Sequence, residues 1–216
     1  MARLVLPRFY PILDAGLLLR TGLSIESFAR ELRAAGIRFL QYRDKDAADE
    51  LLLERAVMLR RVFPASDSCL ILNDRVPLVL SAGYDGVHVG QEDLSPAEAR
   101  GVLGSLIVGV STHGEGQLLG AAVSPVDYVA IGPVFATSSK QVPDPVVGLE
   151  GVRAARAITD KPLVAIGGIT RANCAAVIEA GADSVAVISD LVPSPAGSVE
   201  EFFARLGGHG VASFSR

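Results

Sequence analysis

Short runs of apolar and β-branched residues recur along this chain, each bounded by Gly, Asp or Asn, and longer segments with helical periodicity lie between them. The short runs predict eight strands, at residues 8–13, 37–43, 69–73, 86–89, 106–110, 128–132, 163–167 and 184–188. The periodic segments predict eight helices, at residues 24–35, 49–63, 76–82, 95–103, 115–122, 149–158, 171–180 and 199–206. Strands and helices therefore alternate along the chain.

This strict alternation predicts parallel strands, because a parallel neighbour cannot be reached through a hairpin and needs a right-handed crossover. Eight repeats of about 27 residues fit a closed (β/α)8 TIM barrel. An open doubly wound sheet is the alternative. It is disfavoured because no GxGxxG turn follows the first predicted strand and because polar clusters follow several strands.

Composition favours a single domain over residues 1–216, since 50% of the residues are hydrophobic and can enclose a sizeable core. The formal net charge is -4 and there is no basic stripe, so we expect small-molecule partners and no nucleic acid. The apolar N-terminal stretch is interrupted by two prolines and an arginine, which predicts a soluble, cytoplasmic protein without a signal sequence or membrane span. Cys69 and Cys174 lack the spacing of a metal site, and we expect buried, reduced thiols.

Polar residues collect after the predicted strands, where a (β/α)8 barrel has its active site. In chain order they are Gln41, Arg43, Asp44 and Lys45; Asn73, Asp74 and Arg75; Gln91, Glu92 and Asp93; Ser111, Thr112 and His113; Thr137, Ser139 and Lys140; Gly167 and Gly168; and Ser189 and Asp190. Among the histidines, His113 is a candidate general acid or base, whereas His88 is expected to pack in the interior. We therefore predict the active site at the carboxyl ends of the strands.

Side chains of a strand alternate between its two faces, and this alternation predicts where the polar residues of the second strand point. Gln41 and Arg43 share a face with the apolar residues expected inside the barrel, so they should point into its mouth. Arg43 and Lys45 can bind a phosphorylated anion, the arginine as a bidentate fork. The alternative is a solvated strand end in which Arg43 pairs with Asp44 or Asp46.

Two carboxylates follow adjacent predicted strands. Asp74 and Asp93 suit Mg²⁺, whose coordination phosphate oxygens and water would complete. The alternative is that each caps the helix that follows it.

Gly167, Gly168 and Ser189 offer a second, neutral phosphate site after the seventh and eighth strands. Two chemically distinct phosphate sites point to a transfer reaction with diphosphate as the leaving group.

The segments QYRDK, LILNDR, DGVHVGQED, GVSTH, YVAIGPVFATSSK, VGLEG, PLVAIGGIT and SVAVIS occur in order between residues 10 and 191. In these segments the chain resembles the thiamine-phosphate synthase family. The resemblance implies a (β/α)8 barrel that uses Mg²⁺ to join 4-amino-2-methyl-5-hydroxymethylpyrimidine diphosphate to 4-methyl-5-(2-phosphoethyl)thiazole. Diphosphate leaves first and the thiazole nitrogen attacks the resulting cation, so no protein nucleophile is required.

The resemblance also implies roles for individual residues. The residues that would bind the pyrimidine diphosphate are Gln41, Tyr42, Arg43, Asp44, Lys45, Asn73, Ser111 and Lys140, of which Arg43, Lys45, Ser111 and Lys140 would be catalytic. Those that would bind the thiazole phosphate are Thr137, Ser138, Ser139, Gly168, Ile188 and Ser189. Asp74 and Asp93 would hold Mg²⁺.

Two other functions are compatible with the sequence. A related thiazole tautomerase shares the barrel and the thiazole-phosphate end, but it would not need the carboxylates and cations of the diphosphate site. A non-catalytic thiamine-phosphate-binding protein is the other alternative.

The longest predicted loop, residues 137–147, is expected to form a flap over the site. The sequence does not determine the oligomeric state, and a homo-oligomer is compatible with it.

Overall fold

The computed structural model describes residues 4–137 and 145–207. Its eight strands are β1 (Phe9–Asp14), β2 (Phe39–Arg43), β3 (Cys69–Asn73), β4 (Gly86–Val89), β5 (Ile107–Thr112), β6 (Tyr128–Ile131), β7 (Leu163–Ile166) and β8 (Ser184–Val187). Each strand pairs in parallel with the next along the chain, and β8 pairs with β1. The predicted TIM barrel is therefore confirmed, and the open sheet is excluded.

The helices lie around the barrel. They are α1 (Ala15–Arg20), α2 (Ile25–Ala34), α3 (Asp49–Val62), α4 (Val79–Ala82), α5 (Pro96–Leu103), α6 (Glu115–Val123), α7 (Gly148–Ile158), α8 (Cys174–Glu179) and α9 (Pro195–Leu206). Short 3-10 turns occupy Val76–Leu78 and Ser189–Leu191. Caps explain several boundaries: Ser24 accepts a hydrogen bond from the backbone of Ser27, and Ser95 forms a capping box with Glu98. No helix in the described residues is long and apolar enough to cross a membrane.

Two helical segments differ most from the prediction. The short helix α1 was not predicted, because six residues hold too little periodicity to be recognised; Asp14 begins it by accepting a hydrogen bond from the backbone N–H of Leu17. Helix α9 begins at Pro195, four residues before its predicted start. Its opening residues, Pro-Ala-Gly-Ser, resemble a loop, yet proline is well suited to the first position of a helix.

Hydrophobic side chains fill two layers. One layer lies inside the barrel and includes Tyr10, Phe39 and Tyr128, and the larger layer lies between the strands and the helices. Successive residues of β2 alternate between the two, with Phe39 inside and Leu40 outside. Cys69 and Cys174 are both buried free thiols, as predicted.

Ion pairs repeat at the amino-terminal end of the barrel. Three aspartates, each directly before a strand, accept a hydrogen bond of 2.8 Å from a backbone N–H of the preceding strand. Each also pairs with an arginine from the helix that leads into that preceding strand. Each arginine also donates to a backbone carbonyl near the carboxyl end of its own helix. The pairs are Arg60 with Asp85, Arg100 with Asp127, and Arg156 with Asp183. We call this set the amino-end ion pairs.

Candidate active site

The mouth of the barrel begins at the ends of β1 and β2, whose pairing places Arg43 beside Asp14. The Arg43 guanidinium forms an ion pair with the buried Asp14 carboxylate. The alternative pairing of Arg43 with Asp44 or Asp46 is therefore wrong. Asp14 thus both starts helix α1 and holds Arg43 at the mouth.

Lys45 and Asp74 form a second ion pair at the mouth. The Asp74 side chain is only 7% exposed, and its backbone adopts a left-handed conformation with φ of 63°. Burial raises the pKa of the Asp74 carboxyl and the neighbouring Asp93 carboxylate raises it further, while the Lys45 ammonium acts in the opposite direction. Asp74 and Asp93 therefore lie close enough to repel each other when both are ionised.

Neither aspartate caps a helix. Asp93 accepts a hydrogen bond of 2.7 Å from the backbone N–H of Gly90, and the cap of α5 is Ser95. The 3-10 turn after Asp74 has no side-chain cap. The capping alternative is thus wrong for both residues, and their carboxylates face each other across the ends of β3 and β4.

This arrangement fits a hard cation with few protein ligands. Within residues 4–137 and 145–207, no group of three or more His, Cys, Asp or Glu side chains could hold a metal. Two adjacent carboxylates match Mg²⁺, which usually keeps several waters and takes only one or two carboxylates when phosphate oxygens are present.

Ser111 at the end of β5 contacts the buried imidazole of His88. The distance from Ser111 Oγ to His88 Nε2 is 2.8 Å, and Gln91 donates a hydrogen bond of 2.6 Å to the Ser111 carbonyl. Burial lowers the pKa of His88 to about 4. The prediction that His88 lies in the interior is confirmed, but its contact with Ser111 was not foreseen. Asn73 ends the neighbouring strand β3, in register with His88.

Tyr42 and Asp44 lie behind the mouth. The Tyr42 side chain packs in the layer between strands and helices, and its hydroxyl donates to Asp44. Asp44 also accepts a hydrogen bond from Arg55 at 2.7 Å and one from the backbone N–H of Ala47 at 3.2 Å. Their side chains therefore support the loop after β2, and the expectation that they bind the diphosphate is corrected, because both are engaged behind the mouth.

The opposite side of the mouth is formed by the ends of β6, β7 and β8. Gly168 adopts φ of 62°, and a Cβ there would lie 2.6 Å from the carbonyl oxygen of Ala136, so only glycine fits. Ile188 and Ser189 follow the adjacent strand β8, and Ser189 opens a 3-10 turn. Thr137 is the last described residue after β6, and the predicted site residues Ser138, Ser139 and Lys140 lie outside the described residues.

Comparisons with known proteins identify the family of this chain. Residues 9–191 match the family described as thiamine monophosphate synthase. The chain belongs to this family. It is 52% identical to a thiamine-phosphate synthase of Koribacter versatilis over 94% of this chain and 97% of the relative. A thiamine-phosphate synthase of Chloroflexus aurantiacus is 41% identical over 89% of this chain and 88% of the relative.

A solved structure supports the same relationship. The thiamine phosphate pyrophosphorylase from Pyrococcus furiosus superposes with a TM-score of 0.83 at 30% identity, covering 92% of this chain and 95% of that one.

Sequence reasoning missed one residue of the mouth, Asp14, although a signal for it exists. Tyr10 and Ile12 of β1 point into the barrel, and the period of two places Asp14 on the same face. The predicted first strand stopped one residue before it. Had the strand been extended by one residue, Asp14 would have been an acidic candidate at the mouth.

Proposed function

We propose that this chain makes thiamine phosphate, by transferring the hydroxymethylpyrimidine group from 4-amino-2-methyl-5-hydroxymethylpyrimidine diphosphate to 4-methyl-5-(2-phosphoethyl)thiazole with release of diphosphate. Family membership over residues 9–191 supports the reaction. The observation that carries the proposal is the pairing of a charged half of the mouth, on β2 to β4, with a neutral, glycine-containing half on β7 and β8.

The charged half suits the leaving group. Arg43 is bidentate in its donor geometry and Lys45 is a point charge, so the two can bind different oxygens of one diphosphate. Both cations are already held at the mouth, Arg43 by Asp14 and Lys45 by Asp74. Exchange of a carboxylate for a phosphate oxygen then requires only a local movement of the side chain.

Asp74 and Asp93 would hold Mg²⁺, because two mutually repelling carboxylates gain most from a divalent cation between them. When bound, the ion would supply positive charge against the charge that develops on the departing diphosphate. Binding of the ion to Asp74 would also release Lys45 for the substrate.

The floor of the charged half suits the pyrimidine ring. Gln41 is 2% exposed and Ser111 is half-buried, and both present neutral hydrogen-bonding groups rather than charges. Asn73, at the end of β3, lies between Gln41 and the carboxylates of Asp74 and Asp93 in strand order. The ring would therefore be held by neutral groups while the cationic side chains hold the diphosphate.

The neutral half suits the thiazole phosphate. Gly168 lets the backbone approach a phosphoryl group without a Cβ, and Ile188, Ser189 and Thr137 surround the same end of the barrel. Ser138, Ser139 and Lys140 remain predicted contributors. The thiazole nitrogen itself attacks the pyrimidine methylene carbon after diphosphate departs, so the protein's task is to orient the two rings and stabilise charge.

The test uses the purified chain with both substrates and Mg²⁺, and measures thiamine phosphate. We expect product with Mg²⁺ and a large loss when the ion is chelated. A thiazole tautomerase would interconvert thiazole isomers without making thiamine phosphate. A non-catalytic binder would bind thiamine phosphate, and this binding would survive Asp93→Ala, but it would give no turnover. Either of these results would overturn the proposal.

A further inference from the structure

A row of polar side chains crosses the interior of the barrel beneath the mouth. Gln41 Nε2 donates to the Tyr10 hydroxyl at 2.9 Å, and the Tyr10 and Tyr128 hydroxyls are 3.1 Å apart. The Tyr128 hydroxyl lies 2.9 Å from His88 Nδ1, and His88 Nε2 lies 2.8 Å from Ser111 Oγ. The row therefore connects Gln41 on β2 to Ser111 on β5. We call it the interior relay.

Burying these groups is costly, so the relay needs an explanation. Tyr10, Tyr128 and His88 are 1%, 0% and 8% exposed. A polar group in such surroundings must be hydrogen-bonded to offset its desolvation. The fold also leaves room for the relay, since a Cβ on Gly109 would lie 2.0 Å from Cζ of Tyr128. Apolar residues would fill the interior more simply, so the relay is unlike the rest of the barrel core.

The hydrogen bonds of the relay have a direction. Gln41 Nε2 can only donate, so the Tyr10 oxygen accepts. Tyr10 has one hydroxyl hydrogen, which it gives to Tyr128, and Tyr128 gives its own to His88 Nδ1. His88 must then donate from Nε2 to Ser111. An imidazolium would also donate from Nε2, so the last bond does not depend on the charge of His88.

The opposite direction leaves a hydrogen without a good acceptor. If Tyr128 donated to Tyr10, the Tyr10 hydrogen could go neither to Gln41 Nε2 nor to Tyr128. The Cys69 thiol lies beside both tyrosines, but sulfur is only a weak acceptor. A buried donor that lacks a proper acceptor is unfavourable. In the first direction each tyrosine hydrogen has an acceptor and both ring nitrogens of His88 are hydrogen-bonded.

We propose that Tyr10, Tyr128 and His88 are positioning residues that fix the Ser111 hydroxyl as a hydrogen-bond donor toward the substrate. Because Ser111 Oγ accepts from His88, its own hydrogen is left to point into the mouth. An aminopyrimidine carries ring nitrogens that accept such a bond. The inference rests on the proposed function, since it assigns Ser111 to the pyrimidine substrate.

The test breaks the relay without touching the mouth. Tyr10→Phe and Tyr128→Phe each remove one hydroxyl and keep the ring. Each should lower kcat/KM for the pyrimidine diphosphate about three- to tenfold and leave KM for the thiazole phosphate unchanged. The kcat/KM of the double variant should be no lower than that of the worse single variant. One missing hydroxyl already interrupts the row of hydrogen bonds that orients Ser111. In a Ser111→Ala background, neither tyrosine change should reduce kcat/KM further.

The matched control is Tyr84→Phe. Tyr84 is another buried tyrosine, and its hydroxyl has no hydrogen-bond partner among the described residues, so kcat/KM should not change. Losses that multiply in the double variant, or that persist in the Ser111→Ala background, would overturn the proposal. An inactive wild type would instead contradict the proposed function. Calorimetric affinities for the pyrimidine diphosphate, measured on the same variants, would then test the relay by the same pattern.

Discussion

The two ends of the barrel use the same residue types in opposite ways. At the amino-terminal end, each aspartate of the amino-end ion pairs lies between an arginine and a backbone N–H. At the mouth, Asp74 and Asp93 lie beside each other, and the pKa of Asp74 is raised by burial and by that neighbour. Carboxylates with complete sets of partners stabilise a fold, whereas crowded carboxylates retain affinity for a ligand.

One aspartate of each kind flanks strand β4. Asp85 immediately precedes it and is held by Arg60 and the backbone N–H of Leu70. Asp93 follows it, accepts a hydrogen bond from the backbone N–H of Gly90 and lies beside the Asp74 carboxyl. Substituting the two aspartates should therefore separate activity from stability.

The largest effect is expected for Asp93→Asn. Loss of one carboxylate from a two-carboxylate metal site should lower kcat by about 10²- to 10³-fold, because less positive charge faces the departing diphosphate. The free energy of unfolding should change little. Steady-state assays of thiamine phosphate and urea denaturation measure the two quantities, and wild-type turnover would remove Asp93 from the site.

His88 should make stability depend on pH. Its pKa is about 4 in the folded protein and about 6.5 in an unfolded chain, so the folded state binds fewer protons between these values. The stability from neutral His88 is fully present above pH 6.5 and decreases as the pH falls toward 4, by up to about 3 kcal/mol. Burial dominates this shift, while Asp93 opposes it and Lys45 reinforces it.

Urea denaturation of wild type and His88→Gln between pH 7 and pH 4 measures this contribution. The free energy of unfolding should fall more steeply with decreasing pH in the wild type, and the difference isolates His88 from the other titrating groups. Parallel pH profiles for the two proteins would show that His88 is not held neutral by the fold.

Asp85→Asn should have the effect on stability that Asp93→Asn lacks. It replaces a charge-assisted pair with a neutral amide next to Arg60, and the Asp85 side chain is 16% exposed, so we expect a loss of about 2 kcal/mol. The kcat of the folded enzyme should stay close to that of the wild type. A large loss of kcat without a loss of stability would contradict the separation of the two ends.

Arg43→Gln is expected to have the smallest effect of these four. It should raise KM for the pyrimidine diphosphate about tenfold, since one charge-assisted contact to the leaving group is lost, and leave KM for the thiazole phosphate unchanged. Asp14→Asn is the control, because it removes the partner but keeps the guanidinium. Equal weakening of both substrates in Arg43→Gln would mean that Arg43 does not belong to the diphosphate half.

Much of this architecture could be predicted from local patterns. Alternating periods of two and 3.6 identified every strand of the barrel, and the position of Arg43, Asp74 and Asp93 after their strands placed them at one end. The same period indicated that Tyr42 faces away from Gln41, and the structure places it in the outer layer. The contiguous motif QYRDK concealed that difference.

The rest depended on contacts between distant parts of the chain. Tyr10 and Tyr128 lie 118 positions apart and meet across the barrel interior, so no local pattern joins them. The Asp14 partner of Arg43 could not be predicted, because Asp14 lies on the neighbouring strand, whereas Asp44 and Asp46, the partners considered in the alternative, are closer in sequence. Pairing register decides such contacts, and it is set by the closed barrel as a whole.

We propose that the carboxylates at the mouth recruit Mg²⁺ for the diphosphate, while those at the other end stabilise the fold. Calorimetric binding of the pyrimidine diphosphate, with and without Mg²⁺, tests it most directly in wild type, Asp93→Asn and Asp85→Asn. We predict that Mg²⁺ strengthens binding in wild type and Asp85→Asn and has little effect in Asp93→Asn. An undiminished effect of Mg²⁺ in Asp93→Asn would contradict the claim.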